Sequence, residues 1–241
     1  MKIKLFTIPN LLTLSNLFCG SAAVVSALVW GDLKLAFGLM VLAAVFDFFD
    51  GFAARLLNQS SPIGLQLDSL ADDISFGLAP AAIMYSLYQW MPGIWLPEGY
   101  PGLAVFVFTA CAALRLAKFN IDETQHTEFC GLPTPANALF FVALGWMDAK
   151  TGFNQGGWVL LMVPAMSWLL ISPVRMFAFK FQSFAFKGNE IRYIFIALAV
   201  VLLVALGIPA VPIVILLYIA ISAVGWGMSL KKPGSAACPE K

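Results

Sequence analysis

The sequence predicts an all-α, polytopic transmembrane bundle of about eight helices, and three observations carry that reading. Hydrophobic residues make up 61% of the 241-residue chain and charged residues only 11%, where a soluble domain carries roughly a quarter charged. Apolar runs close to the ~20 residues that cross a bilayer recur along the whole length. The basic residues, finally, collect on alternate loops, as they do in a chain threaded back and forth through a membrane.

Taken in order, the expected spans are Ile8–Trp30, Leu33–Leu57, Gly64–Tyr88, Gly102–Phe119, Ala136–Met147, Gly157–Val174, Tyr193–Leu206 and Ala210–Leu230. The fifth and seventh are short for a full crossing, so six or seven spans also fit the pattern. The first is too long for a cleaved signal peptide, carries Asn10, Thr13 and Asn16, and lacks a small-residue cleavage site. With the N-terminus in the cytosol, every lysine and arginine except Lys34 and Lys150 falls on the cytosolic side, which places both termini there. Connectors are short, so residues 1–241 read as one integral membrane domain with a core over 8–150 and additional C-terminal spans over 157–230. The net charge of +1 and the lack of a dense basic face argue against nucleic-acid binding. Cys19 and Cys111 fall in spans, while Cys130 and Cys238 face a reducing cytosol, so no structural disulfide is expected.

Function is carried by one string. Asp47-x-x-Asp50-Gly51-x-x-Ala54-Arg55 is followed, after eight residues, by Gly64-x-x-x-Asp68-x-x-x-Asp72. An ionised carboxylate deep in a bilayer costs about 2.5–3.5 kcal/mol on insertion scales, so four of them imply a compensating charge. Spacings of three and four put Asp47 with Asp50, and Asp68 with Asp72, each on one helical face. Two adjacent helices then present paired carboxylates to each other. Oxygen-only ligands suit Mg²⁺ or Mn²⁺, and two such ions suit phosphoryl chemistry. Gly51, Ala54 and Gly64 keep the same face open for a bulky ligand such as a diphosphate, and Arg55 offers a planar cationic fork to phosphate oxygens. Asp73 is out of register and reads as a packing or supporting residue. A cation transporter using the aspartates as a transit site is the rival from another class. It leaves Gly51, Arg55 and Gly64 without a role, and no inverted repeat is visible in the sequence.

Other polar residues have two open uses. Asn10, Thr13 and Asn16 form a stripe on the first helix; Asn10 and Thr13 are expected to face the pocket, the alternative being inter-helix bonds. Arg115 and Lys118, one turn apart at the inner end of the fourth span, either meet an anionic substrate group or snorkel to the interface. Asn120 beside them is open to either substrate or backbone. The turn at Gly131–Pro135 is expected to set the start of the fifth span. His126 reads as a solvated loop residue, and Phe177–Phe186 as a segment on the membrane surface.

The string from Asp47 to Asp72 resembles, at every fixed position, the signature of the CDP-alcohol phosphotransferases. Ile8-Pro9-Asn10-Leu11-Leu12-Thr13-Leu14-Ser15-Asn16, Phe46–Gly77, Leu114–Asn120 and Gly131-Leu132-Pro133-Thr134-Pro135-Ala136 look similar to the phosphatidylserine synthase branch of that family. The resemblance implies that Asp47, Asp50, Asp68 and Asp72 hold two divalent ions, Mg²⁺ or Mn²⁺, and that Asp72 also serves as general base. It implies a CDP pocket shaped by Gly51, Ala54, Arg55 and Gly64, CDP-diacylglycerol as donor, and L-serine as acceptor near Arg115, Lys118 and Asn120. A homodimer in the cell (inner) membrane, with membrane lipid around it and the site facing the cytosol, is implied as well. Glycerol 3-phosphate and inositol phosphate are the alternative acceptors, although a phosphorylated acceptor wants a denser basic pocket.

Overall fold

The computed structural model describes residues 5–89, 100–121, 128–151, 156–177 and 189–229. His126, Cys238 and residues 178–186 of the phenylalanine-rich segment lie outside them, as do many of the lysines used to orient the chain.

The described chain is mostly helical. α1 (Ile8–Val25) starts at Thr7, whose hydroxyl accepts from the Asn10 amide, with Pro9 in the first turn. It runs into a π turn at Ser26–Trp30 that closes on Gly31 at φ +65°. α2 (Leu33–Leu56) is capped by Asp32, which accepts from the amides of Lys34 and Leu35. α3 (Pro62–Asp72) is capped by Ser61, which accepts from the Gly64 amide. It continues without a break through a second π segment, Asp73–Leu78, into α4 (Ala79–Gln89). A 3₁₀ stretch at Tyr100–Phe106 leads to α5 (Val107–Ile121). α6 (Thr134–Thr151), α7 (Gly156–Ile171), α8 (Glu190–Leu206) and α9 (Ala210–Ser229) complete the described helices.

Among the described residues, four helical stretches are long and apolar enough to cross a membrane: Ile8–Trp30, Leu33–Leu56, Gly102–Ile121 and Ala210–Gly227. Leu161–Ile171 is a shorter apolar helix. The other expected spans are also helical, but Pro62–Gln89 carries Asp68, Asp72 and Asp73 in its first half.

One feature departs from expectation: a short antiparallel ribbon pairs β1 (Glu128–Cys130) with β2 (Arg175–Phe177), Cys130 opposite Arg175. Cys19 and Cys111 are free thiols.

Packing follows membrane rules. Ala23, Ala36, Ala43, Ala71, Ala79 and Ala112 are fully buried, because small side chains let helix backbones approach where hydrophobicity no longer drives association. Larger groups fill the centre: Phe108 meets Phe141 edge-on at 5.5 Å, and Phe141 meets Phe140 at 5.1 Å. Large apolar side chains such as Phe18, Val201 and Val204 are exposed on the outside, as suits helices that face lipid. α9 reaches inward too, placing Ile215 and Tyr218 in the same core as Phe195.

Candidate active site

α1, α2 and α3 bring the acidic residues together. Asp47 and Asp50 lie near the end of α2 and Asp68 in the middle of α3, across the short turn at Leu57–Ser61. One carboxylate oxygen from each of these three residues lies within 4.8 Å of the others. Three oxygens bound to one small hard cation at about 2.1 Å lie about 3 to 4 Å apart, so side-chain rotation must draw these carboxylates closer together to hold Mg²⁺ or Mn²⁺. The donor chemistry agrees, being carboxylate throughout. The fourth acid, Asp72, stands beside this triad, its carboxyl within hydrogen-bonding reach of that of Asp47.

Supports for the carboxylates come from α1. Thr13 donates to Asp50 Oδ2 at 2.6 Å, with the Pro9 carbonyl as its other acceptor at 3.1 Å. Asn16 Nδ2 donates to Asp72 Oδ1 at 3.3 Å. The polar stripe of the first helix thus faces the site, though Asn10 spends its amide donor on the Leu5 carbonyl at 2.8 Å. The sequence assigned Asn10 and Thr13 to the pocket but left Asn16 unused, although it belongs to the same stripe.

A cleft of about 180 Å³ opens next to the triad, lined by Asn10, Thr13, Gly51, Ala54 and Gly64 together with Asp50 and Asp68. A Cβ at Gly64 would sit 3.2 Å from Asn10 Oδ1 and from Ser61 Oγ, whereas one at Gly51 would meet only open space. Gln59, Ser60 and Ser61 also line the cleft; they lie in the variable spacer of the motif, and no pattern in the sequence marks them. Arg55 is exposed and is not part of this lining.

A second cavity of about 290 Å³ contains Arg115 and Lys118 between the walls of Leu114, Phe119 and Leu170. Arg115 Nη1 donates to Thr134 Oγ1 at 2.7 Å, and its Nε is buried without a partner. Its guanidinium is near enough to Asp72 for the two charges to attract. Asn120 turns elsewhere, donating to Ser69 Oγ at 2.8 Å and tying α5 to α3. Asp73 Oδ1 is buried without a partner, close against Gly77.

A sequence profile described as CDP-alcohol phosphatidyltransferase matches residues 6–171, the stretch that holds every one of these side chains. The chain belongs to that family. A Bacillus subtilis protein named CDP-diacylglycerol–serine O-phosphatidyltransferase is 33% identical over 72% of this chain and 91% of its own length. A Helicobacter pylori protein of the same name is 33% identical over 82% of this chain and 83% of its own. One from Mycobacterium tuberculosis is 34% identical over 72% of this chain, which spans 62% of that longer protein. A CDP-alcohol phosphatidyltransferase is an enzyme, not a cation transporter.

Proposed function

We propose that the chain transfers the phosphatidyl group of CDP-diacylglycerol to the hydroxyl of L-serine, giving phosphatidylserine and CMP. The observation that carries the reading is the meeting of the Asp47, Asp50 and Asp68 carboxylates beside a glycine-lined cleft, with Asp72 next to them. The shared name of the three relatives supports serine as acceptor.

Asp47, Asp50, Asp68 and Asp72 would hold two divalent ions. Bound there, Mg²⁺ or Mn²⁺ supplies positive charge to the diphosphate and to the departing phosphate oxygen. The cleft at Asn10, Thr13, Gly51, Ala54 and Gly64 receives the CDP moiety, its missing side chains letting the diphosphate approach the backbone. Arg55, exposed just past Ala54, carries a side chain long enough to close on a phosphate oxygen. Arg115 and Lys118 give the acceptor's carboxylate a cationic seat, with the Arg115 Nε–H as an unused donor. Asn120 supports that seat by holding α5 to α3.

Asp72 takes the proton of the serine hydroxyl as its oxygen forms a bond to the lipid-bearing phosphorus. The bond from that phosphorus to the bridging oxygen breaks, and CMP leaves with the oxygen. Direct displacement is the simplest route, since the cleft presents carboxylates and no thiol or histidine as covalent nucleophile. The same reading makes the chain one eight-span domain with both termini in the cytosol, acting as a homodimer in the cell membrane, the cleft facing the cytosol.

The test is CMP release by purified protein from CDP-diacylglycerol with Mg²⁺ or Mn²⁺ and, in parallel, serine, glycerol 3-phosphate, inositol phosphate or no acceptor. Release that requires serine is expected. Release with a phosphorylated acceptor and none with serine would move the enzyme within its family.

A further inference from the structure

The geometry points to Asn16 as a positioning residue for Asp72, locked in place by Ser75 where the third helix passes Gly20; the proposal rests on Asp72 being the base. Three observations converge on it. Asn16 is completely buried, and its Nδ2 holds Asp72 Oδ1 at 3.3 Å. With that oxygen engaged, the carboxyl can no longer spin freely, and its other oxygen is presented in one orientation. The Asn16 backbone is held as well: Ser75 Oγ donates to its carbonyl at 3.0 Å, across 59 residues of sequence. One residue of α1 therefore grips two points of the opposite helix, the Asp72 carboxyl and the Ser75 hydroxyl.

The second grip needs an unusual backbone on both sides. The segment Asp73–Leu78 is π-helical, and Ser75, Phe76 and Gly77 are buried in it. The widened turn begins immediately after Asp72. On α1, Gly20 makes room: a Cβ there would sit 2.7 Å from Ser75 Cα, closer than folded proteins tolerate.

The third observation separates positioning from simple packing. Asn16 Oδ1 is buried with no hydrogen-bond partner, and a buried acceptor without a donor costs stability. Of the other buried polar residues of α1, Thr13 holds Asp50 and Asn10 bonds the Leu5 carbonyl, so Asn16 alone among them engages Asp72. An asparagine whose oxygen is left unpaired while its nitrogen holds one carboxyl is spent on that carboxyl rather than on packing.

The experiment measures kcat per folded enzyme, the KM for each substrate and the thermal midpoint for Asn16→Leu, Ser75→Ala and Asp72→Asn. A loosened base costs rate at the chemical step, on the order of 100-fold for a displacement of about 1 Å. Asn16→Leu is therefore expected to lower kcat by about 10- to 100-fold, with both KM values within about twofold and a thermal midpoint equal to or above wild type. Ser75→Ala is expected to lower kcat in the same direction by a smaller factor. A lower thermal midpoint in Asn16→Leu with normal kcat per folded enzyme would overturn the proposal and make Asn16 a structural residue. If Asp72→Asn is inactive while Asn16→Leu keeps wild-type kcat, the positioning role fails alone. An active Asp72→Asn would remove the base itself, and the proposal with it.

Discussion

At the scale of single residues, the acids were legible because nothing else explains them: four carboxylates in apolar helices are costly, and their spacing already puts them on facing stripes. Their supports were less legible. Thr13 looked like a pocket residue, yet its hydroxyl is committed to Asp50 Oδ2 at 2.6 Å; which face α1 turns toward α2 depends on packing that one sequence does not display. Groups that hold a metal ligand typically govern its affinity by about 10- to 100-fold. Thr13→Ala should therefore weaken Mn²⁺ activation by about 10-fold or more while leaving maximal CMP release at saturating metal nearly intact. Titrating activity against Mn²⁺ checks this, and an unchanged half-saturation point would contradict it. Arg55 is the converse case. The motif marks it as a phosphate ligand, whereas the structure leaves it exposed and outside the cleft lining, so its contribution depends on the side chain moving when the nucleotide arrives.

At the scale of elements, the helices were readable from hydrophobic runs, but the π segment after Asp72 was not. A single extra residue in a turn barely disturbs an apolar pattern, although it decides which side chains are buried. The turn at Gly131 was expected to set the start of the fifth span, and its reason is now concrete. Gly131 has φ +80°, its amide donates to the Val174 carbonyl, and a Cβ there would press into the Leu169 and Leu170 carbonyls. Three residues later Thr134 accepts from Arg115. Gly131→Ala should therefore raise the serine KM several-fold, with little effect on the KM for CDP-diacylglycerol, and lower stability by about 1–3 kcal/mol. Substrate kinetics and a thermal melt measure both effects. Gly64→Ala should do the opposite to the substrates. Its Cβ would crowd Asn10 and Ser61 at 3.2 Å and narrow the nucleotide cleft, raising the KM for CDP-diacylglycerol alone.

At the scale of the whole molecule, the sequence could show a membrane bundle but not how its C-terminal part joins the rest. The family match ends at residue 171, yet Tyr218 and Ile215 of α9 lie in the common core. The acidic site also bears on stability, because it sets carboxylates from two helices, α2 and α3, against each other. Ligands that bind only the folded state stabilise it, by about 2.7 kcal/mol at a hundredfold excess over Kd. Mn²⁺ should accordingly raise the thermal midpoint of the purified protein, and Asp50→Asn or Asp68→Asn should abolish most of that rise; an equal rise in these variants would place the metal elsewhere. In the proposed reaction this cluster runs acceptor-dependent phosphatidyl transfer with Asp72 as base. Its most direct measurement is serine-dependent CMP release by wild type and Asp72→Asn, each shown to be folded and to bind Mn²⁺. Release from the wild type is expected to require both serine and metal, with none above background from the variant. Comparable release from Asp72→Asn, or release from the wild type that ignores serine, would contradict it.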